Sequence, residues 1–331
     1  MYTIFCAILP AFLVIAAGAI VEKRQIMPQN TAYALSAFAL NIAIPCLTFH
    51  IMSTAPLDKM TQWSWWAGIL SVQTGFYIVY YFLARLRGRD TGEAVISSLS
   101  VSFANVGFVG LPVIMNIYGD NNDALTVAGL VMVAANTLPV ISQMTLMVWS
   151  RKKKKRPEQK KAHLHTKLWN FFKQYILGNS VLMSTVLGIA VAASGIHIWD
   201  ALDKGIAMIG YTAPVCMLFT MGFSMRENIA TAIARHSIHF LQQLWICTLR
   251  LVVLPLLTLF IMMNLGIDPL WVAVTCIVSA TGSAIFVSAL AQIYQAVPGQ
   301  ASMTIAVTNL LSLFSLSGML MILQHLGYLS L

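Results

Sequence analysis

Charge is what this chain has least of. Asp, Glu, Lys and Arg make up 9% of its 331 residues, where soluble domains carry about 25%. With 58% of the chain taken by Ala, Val, Ile, Leu, Met, Phe, Trp, Tyr and Cys, a water-soluble fold of this length could not cover its own surface. Acidic residues are the scarcest charges: there are eleven, from Glu22 to Asp268, all in loops or at the ends of apolar runs. The five cysteines form no C-x-x-C pair, which speaks against a zinc site or disulfide framework and suits small buried hydrophobes. No G-x-x-x-x-G-K-[ST] run occurs, so nucleotide hydrolysis is not the expected energy source. The first apolar run starts at Met1 with no basic segment before it, and reads as a membrane span rather than a cleaved leader.

What is there in quantity is long apolar runs. About 20 apolar residues cross a bilayer, and runs of that kind lie near 2–20, 31–52, 64–83, 94–118 and 124–149. A second set lies near 175–195, 205–225, 237–263, 270–296 and 300–326. Between the sets stands one strongly polar stretch, 151–173, which opens Arg-Lys-Lys-Lys-Lys-Arg. The spacing predicts an all-α, polytopic membrane protein of ten transmembrane helices: a five-helix repeat over 1–150, a basic linker over 151–173 and a second repeat over 174–331. An odd number of spans per half inserts the two halves in opposite orientations. Faint internal similarity agrees, with Pro45 matched to Pro214 and the Asn-Ile-Tyr ending at Tyr118 to the Gln-Ile-Tyr ending at Tyr294.

Orientation follows from the basic residues. With the linker cytoplasmic, seventeen loop Lys and Arg fall on one side and only Lys59 and Lys204 on the other. The positive-inside rule then places both termini outside the cytoplasm. The same rule accounts for the linker's charge without nucleic acid as a partner. His163 and His165 sit in that solvated stretch, a poor setting for a metal site. The tryptophans, among them Trp63, Trp65 and Trp66 at one span start, are expected in the interfacial belts.

Helix breakers at membrane depth point to a site, because lipid tolerates freed backbone groups only where they face protein or a cavity. Span four carries Asn105-Val106-Gly107-Phe108-Val109-Gly110-Leu111-Pro112; the helix is expected to open between Asn105 and Pro112, leaving a half-helix whose positive end favours an anion. Span nine carries Ser279-Ala280-Thr281-Gly282-Ser283, a weaker signal without proline. Asn41, one turn before Pro45, is a further polar candidate. Asn136 and Asn309 need only an interhelical hydrogen bond to account for them. Arg250 is the single charge deep in a span; it either attracts a carboxylate substrate or ties down carbonyls of a broken neighbour.

The Asn-x-Gly-Phe-x-Gly-Leu-Pro run at 105–112, the Asn-x-x-x-Pro run at 41–45 and the Arg-Leu-Val-Val-Leu-Pro run at 250–255 resemble the auxin efflux carrier family, which includes plant PIN-FORMED proteins and bacterial malonate and malate permeases. The resemblance spans nearly the whole chain. It implies two inverted five-helix repeats with broken helices four and nine crossing near the substrate, as in bile-acid and sodium/proton transporters. It also implies that Asn105, Gly107 and Pro112 line one crossover and Thr281, Gly282 and Ser283 the other. Family members often carry proline at the second crossover, where this chain has Thr281-Gly282.

These readings converge on a secondary transporter that moves a small organic anion, a mono- or dicarboxylate, by alternating access. With no carboxylate at membrane depth, a cationic substrate is disfavoured. The expected substrate-binding residues are Asn41, Pro45, Asn105, Gly107, Pro112, Arg250, Thr281, Gly282 and Ser283. No cofactor, metal or catalytic group is expected, and coupling to Na+ or H+ is left open. The partners are the substrate and the bilayer of a bacterial inner membrane, with a homodimer left open. A membrane receptor built on a transporter fold is the alternative; an enzyme is not expected, since no histidine has an acidic partner at depth.

Overall fold

Apolar periodicity turns into helices almost everywhere it occurs. The computed structural model describes residues 2–55, 61–119, 121–153, 180–234 and 240–329. Twelve helical segments are named here: α1 Tyr2–Lys23, α2 Thr31–Thr54, α3 Trp63–Leu86, α4 Thr91–Ser102, α5 Val106–Tyr118, α6 Asn122–Ser150, α7 Ser180–Ser194, α8 Asp200–Arg226, α9 Leu241–Asn264, α10 Pro269–Ser279, α11 Phe286–Tyr294 and α12 Pro298–His325. Among the described residues six of these (α2, α3, α6, α8, α9 and α12) are long and apolar enough to cross a membrane. There is no strand among them, only an isolated antiparallel bridge between Ala104 and Ser283. This is an all-helical, multi-pass membrane protein. The linker from 154 onward, with His163 and His165, and also Lys59 and Arg235, lie outside the described residues.

Helix starts follow local chemistry. The Asp90 side chain accepts from the Glu93 amide at 2.8 Å at the head of α4. Asn121 accepts from the Asp123 and Ala124 amides at the head of α6. Asp268, followed by Pro269, does the same for Leu270 at the head of α10. Each satisfies donors that a helix start leaves without intrahelical partners.

Proline inside the spans is accommodated in one repeated way. Wide π-turns cover Ala39–Ala43, Val106–Gly110 and Leu249–Val253, and a proline follows two residues after each: Pro45, Pro112 and Pro255. A proline has no N–H and its ring crowds the carbonyl one turn back; widening that turn removes the clash and frees a carbonyl. Neighbouring serines take up two such carbonyls. Ser180 Oγ donates to Leu40 at 3.3 Å and Ser315 Oγ to Leu251 at 2.5 Å.

Two helix pairs pack so closely that their backbones nearly touch. α1 lies on α8 and α7 on α2. A Cβ at Gly18 would collide with the Phe219 carbonyl, and one at Gly188 would come within 2.9 Å of the Phe49 carbonyl. Gly188 and Phe219 stand the same 170 positions from Gly18 and Phe49 respectively.

Trp65 departs from its expected place in the interfacial belt. It is fully buried, its Nε1 donates to Thr275 Oγ1 at 2.9 Å, and its ring meets Trp271 edge-on at 5.2 Å. A partner for the indole N–H lets it serve as core. Its neighbour Trp63 is 77% exposed, as a belt residue should be.

Candidate functional site

The two broken helices meet at the centre of the site. Between α4 and α5 the backbone leaves helical geometry at 103–105, and between α10 and α11 at 280–285. The first opening therefore lies upstream of the expected stretch. Val106 to Pro112 stay helical because the π-turn absorbs the proline, and it is Phe103 and Asn105 that carry the non-helical φ/ψ. The second opening forms without proline. There Thr281 Oγ1 donates to the Val278 carbonyl at 2.8 Å and Ser283 Oγ to the Ser100 carbonyl at 2.5 Å, so hydroxyls take over carbonyls that the ended helices expose.

The two openings run antiparallel and hold each other. The Asn105 amide donates to the Gly282 carbonyl at 3.0 Å and the Ala284 amide to Phe103 at 3.1 Å, flanking the Ala104–Ser283 bridge. Side chains add a second set of ties. Asn105 Nδ2 donates to Asn309 Oδ1 at 2.8 Å, Asn309 Nδ2 to the Ser283 carbonyl at 2.9 Å, and the Ser283 amide to Thr308 Oγ1 at 3.1 Å. Asn105, Thr281, Ser283, Thr308 and Asn309 are all buried. Buried polar groups with complete partners fix one geometry, since each broken bond would leave an orphan donor or acceptor.

Beside this bridge lies a cavity of 340 Å³. Its polar lining comes from Asn41, Asn105, Asn136, Gln143 and Ser180, and its apolar walls include Phe103, Phe108, Met132, Met217 and Phe286. Both half-helices begin at its wall: the lining includes Asn105 to Phe108, the start of α5, and Ala284 to Phe286, the start of α11. The first amides of a helix lack intrahelical partners and carry the positive end of its dipole. No side chain caps either start. The described lining holds no Asp, Glu, Lys, Arg or His, so these backbone ends and the amide side chains set the local potential.

The expected site residues fall into three groups. Asn41, Asn105 and Gly107 line the cavity. Thr281, Gly282 and Ser283 form the second strap of the bridge, with Gly282 so close to Asn309 that a Cβ would lie 2.6 Å from its Oδ1. Pro45 and Pro112 stand just past π-turns, shaping the helices that carry the lining. Asn136 and Gln143 were missed as lining residues. Their only signal was amide side chains in a run that also contains Pro139, and Asn136 Nδ2 donates to Met132 in its own helix at 2.7 Å. Asn309 was read as a plain interhelical bond and turns out to hold both straps.

Arg250 stands apart from the cavity. It is 0% exposed, its Nη2 donates to the Gly282 carbonyl at 3.3 Å, and it borders a separate 20 Å³ space with Gln73, Thr258 and Thr275. Its Nε and Nη1 find no partner among the described residues, and neither does Gln73 Oε1. A space of this size with several polar walls has room for about one water. The geometry thus matches the second sequence reading, a cation tied to a carbonyl of a broken neighbour. Arg250→Gln should lower folded yield and weaken transport of anionic and neutral substrates alike, whereas Arg250→Lys, which keeps the charge, should do less damage. Affinity measurements on the purified variants check this; a selective loss for dicarboxylates in Arg250→Gln would instead assign Arg250 to substrate.

The chain is similar to known proteins along nearly its whole length. A family model described as "Membrane transport protein" matches residues 3–320. The chain is 23% identical over 327 residues, 96% of its own length and 95% of the relative's, to a "Putative malonate transporter" of Rhizobium meliloti (strain 1021). It is 26% identical over 114 residues, 34% of this chain and 37% of the relative, to an "Uncharacterized transporter" of Methanothermobacter thermautotrophicus. With the family match running through both broken helices and the cavity they open on, the chain belongs to the membrane transport proteins of the auxin efflux carrier family.

Proposed function

We propose that this protein is a secondary transporter for small organic anions of the mono- or dicarboxylate class. The observation that carries the reading is the convergence of two uncapped half-helix starts on one 340 Å³ cavity whose described lining has no charged side chain. Helix starts attract carboxylates, amide side chains can orient them, and Phe103, Phe108 and Phe286 exclude water around the rest of the substrate. The absence of carboxylates from the lining argues against a cation. The name of the Rhizobium relative supports malonate as a first compound to test. A sodium, proton or substrate gradient supplies the energy. Uptake of labelled malonate and related carboxylates into proteoliposomes, with and without imposed sodium and proton gradients, tests the reading. No accumulation and no exchange of any anion would favour a receptor on the same fold.

The architecture that goes with this function is ten spans in two inverted repeats, over 1–150 and 174–331, joined by a cytoplasmic linker at 151–173. α4 with α5 and α10 with α11 would each make one broken span. The swapped contacts of Gly18 on Phe219 and Gly188 on Phe49 support it: α1 packs on α8 as α7 packs on α2, the exchange an internal two-fold axis produces. Alternating access would move the bridge and the helices packed on it against the rest. Both termini are expected outside the cytoplasm. In a variant lacking the native cysteines, Lys160→Cys should react with a membrane-impermeant maleimide only when the cytoplasmic face is opened; labelling from outside would reverse the topology.

A further inference from the structure

A second polar cavity lies away from the bridge, where α3 ends and α9 begins. It measures 220 Å³ and shares no lining residue with the first. Arg87 and Arg89 face it together with Gln242, between the rings of Tyr80 and Trp245. Arg89 is fixed from two sides, pairing with Glu93 and donating from Nη2 to Gln242 Oε1 at 2.7 Å. That bond occupies the Gln242 acceptor and leaves its Nε2 donor buried with no partner among the described residues. Arg85, close by, donates to the Arg89 carbonyl. Asp90 is engaged in capping α4, and Glu93 in holding Arg89.

The site thus presents a guanidinium at Arg87, a second at Arg89 and an orphan amide donor, while both nearby carboxylates are already engaged. A buried donor without a partner destabilises the fold unless something supplies an acceptor, and two arginines select an anionic oxygen group such as a phosphate. The walls say where that phosphate comes from. Leu241 is 78% exposed and Phe82 60%, and Leu83, Leu244 and Trp245 are open beside them. These are side chains that a membrane protein turns toward hydrocarbon, next to an arginine cluster and a tryptophan of the kind found at the headgroup level. A soluble phosphate would use the donors and ignore the apolar apron.

From this juxtaposition we infer that an anionic phospholipid binds here, its phosphate held by Arg87, Arg89 and Gln242 and its acyl chains lying on the exposed surface of α3 and α9. The site joins the end of one helix to the start of another, and needs the chain to sit in a bilayer but nothing of the carrier mechanism.

Native mass spectrometry of the purified full chain, titrated with phosphatidylglycerol, phosphatidylcholine or inorganic phosphate, tests it. Wild type is expected to retain phosphatidylglycerol in preference to phosphatidylcholine, with inorganic phosphate unable to displace it. Arg87→Gln, at an exposed position past the end of α3, should fold normally and bind phosphatidylglycerol about fivefold more weakly. Gln242→Leu should also weaken it, and Lys23→Gln, at the exposed end of α1, should not. Equal retention of the two lipids by wild type, or unchanged affinity in Arg87→Gln, would overturn the proposal. Displacement by inorganic phosphate would overturn the lipid as occupant and assign the donors to a soluble anion.

Discussion

Gly282→Ala is expected to abolish transport and to destabilise the protein by about 1–3 kcal/mol, the usual penalty for overpacking a filled core. The added Cβ would lie 2.6 Å from Asn309 Oδ1 and 2.7 Å from Asn309 Cα and Cγ. The Cα belongs to the backbone of α12 and cannot rotate away. Either the strap or α12 must shift, and the Gly282 carbonyl carries bonds from both the Asn105 amide and Arg250. One methyl group therefore strains the antiparallel bridge and its arginine tie together. Gly107→Ala is the matched control. Its Cβ would meet Ile44, Met132 and Met217 side chains at 3.6–3.7 Å, ordinary contact distance, so stability should hold. Thermal unfolding and uptake measured on both variants decide the matter; equal behaviour of the two would mean that the tight approach at Gly282 has no role.

Asn105→Ala should reduce transport by about tenfold to a hundredfold, the range that corresponds to losing about 1–3 kcal/mol from one buried polar contact. Asn105 is 1% exposed, lines the cavity and donates to Asn309. Its loss affects two things, the tie between the straps and the polar wall of the cavity. Asn309→Ala removes the same tie from the other side, though Asn309 does not line the larger cavity. If Asn105 also contacts substrate, Asn105→Ala should raise KM more than Asn309→Ala does, even though Asn309→Ala, which also loses the bond to the Ser283 carbonyl, costs more stability. The double variant should lose less stability than the sum of the singles, because both singles remove one shared bond. Unchanged uptake kinetics in Asn105→Ala would remove it from the site.

Much of this was legible in the sequence because membrane spans are written in composition and length. The apolar runs mark helices within a few residues of their described ends, six of them long and apolar enough to cross a membrane, and the Asn-x-Gly and Leu-Pro pieces at 105–112 mark one break. What periodicity could not show is which side of the proline opens. The wide turn at Val106–Gly110 lets Pro112 remain inside a helix, so the opening moves to 103–105, where no residue type announces it. The second opening was weakly written because Thr and Ser hydroxyls in most membrane helices merely bond back one turn; Thr281 does so to Val278, whereas Ser283 takes the Ser100 carbonyl of the first broken helix. Trp65 was misplaced because belt and core tryptophans look alike until a partner such as Thr275, 210 residues away in sequence, is known. Arg250 was readable as a buried cation but not by role; the Gly282 carbonyl that receives it lies in a different helix break. Gln143 gave only the signal of its residue type, since a single amide in an apolar run does not reveal the face it occupies.

The central claim is that the transported anion occupies the cavity beside the crossed straps. Gln143 lines that cavity and is partly exposed, so Gln143→Cys in a variant lacking the native cysteines reports on occupancy. With malonate, or whichever carboxylate the uptake panel identifies, maleimide labelling of this cysteine should slow in step with the concentration that half-saturates transport, while an untransported neutral analogue leaves it unchanged. A carboxylate that is transported yet leaves the labelling rate the same at saturating concentration would place the substrate elsewhere and contradict the claim.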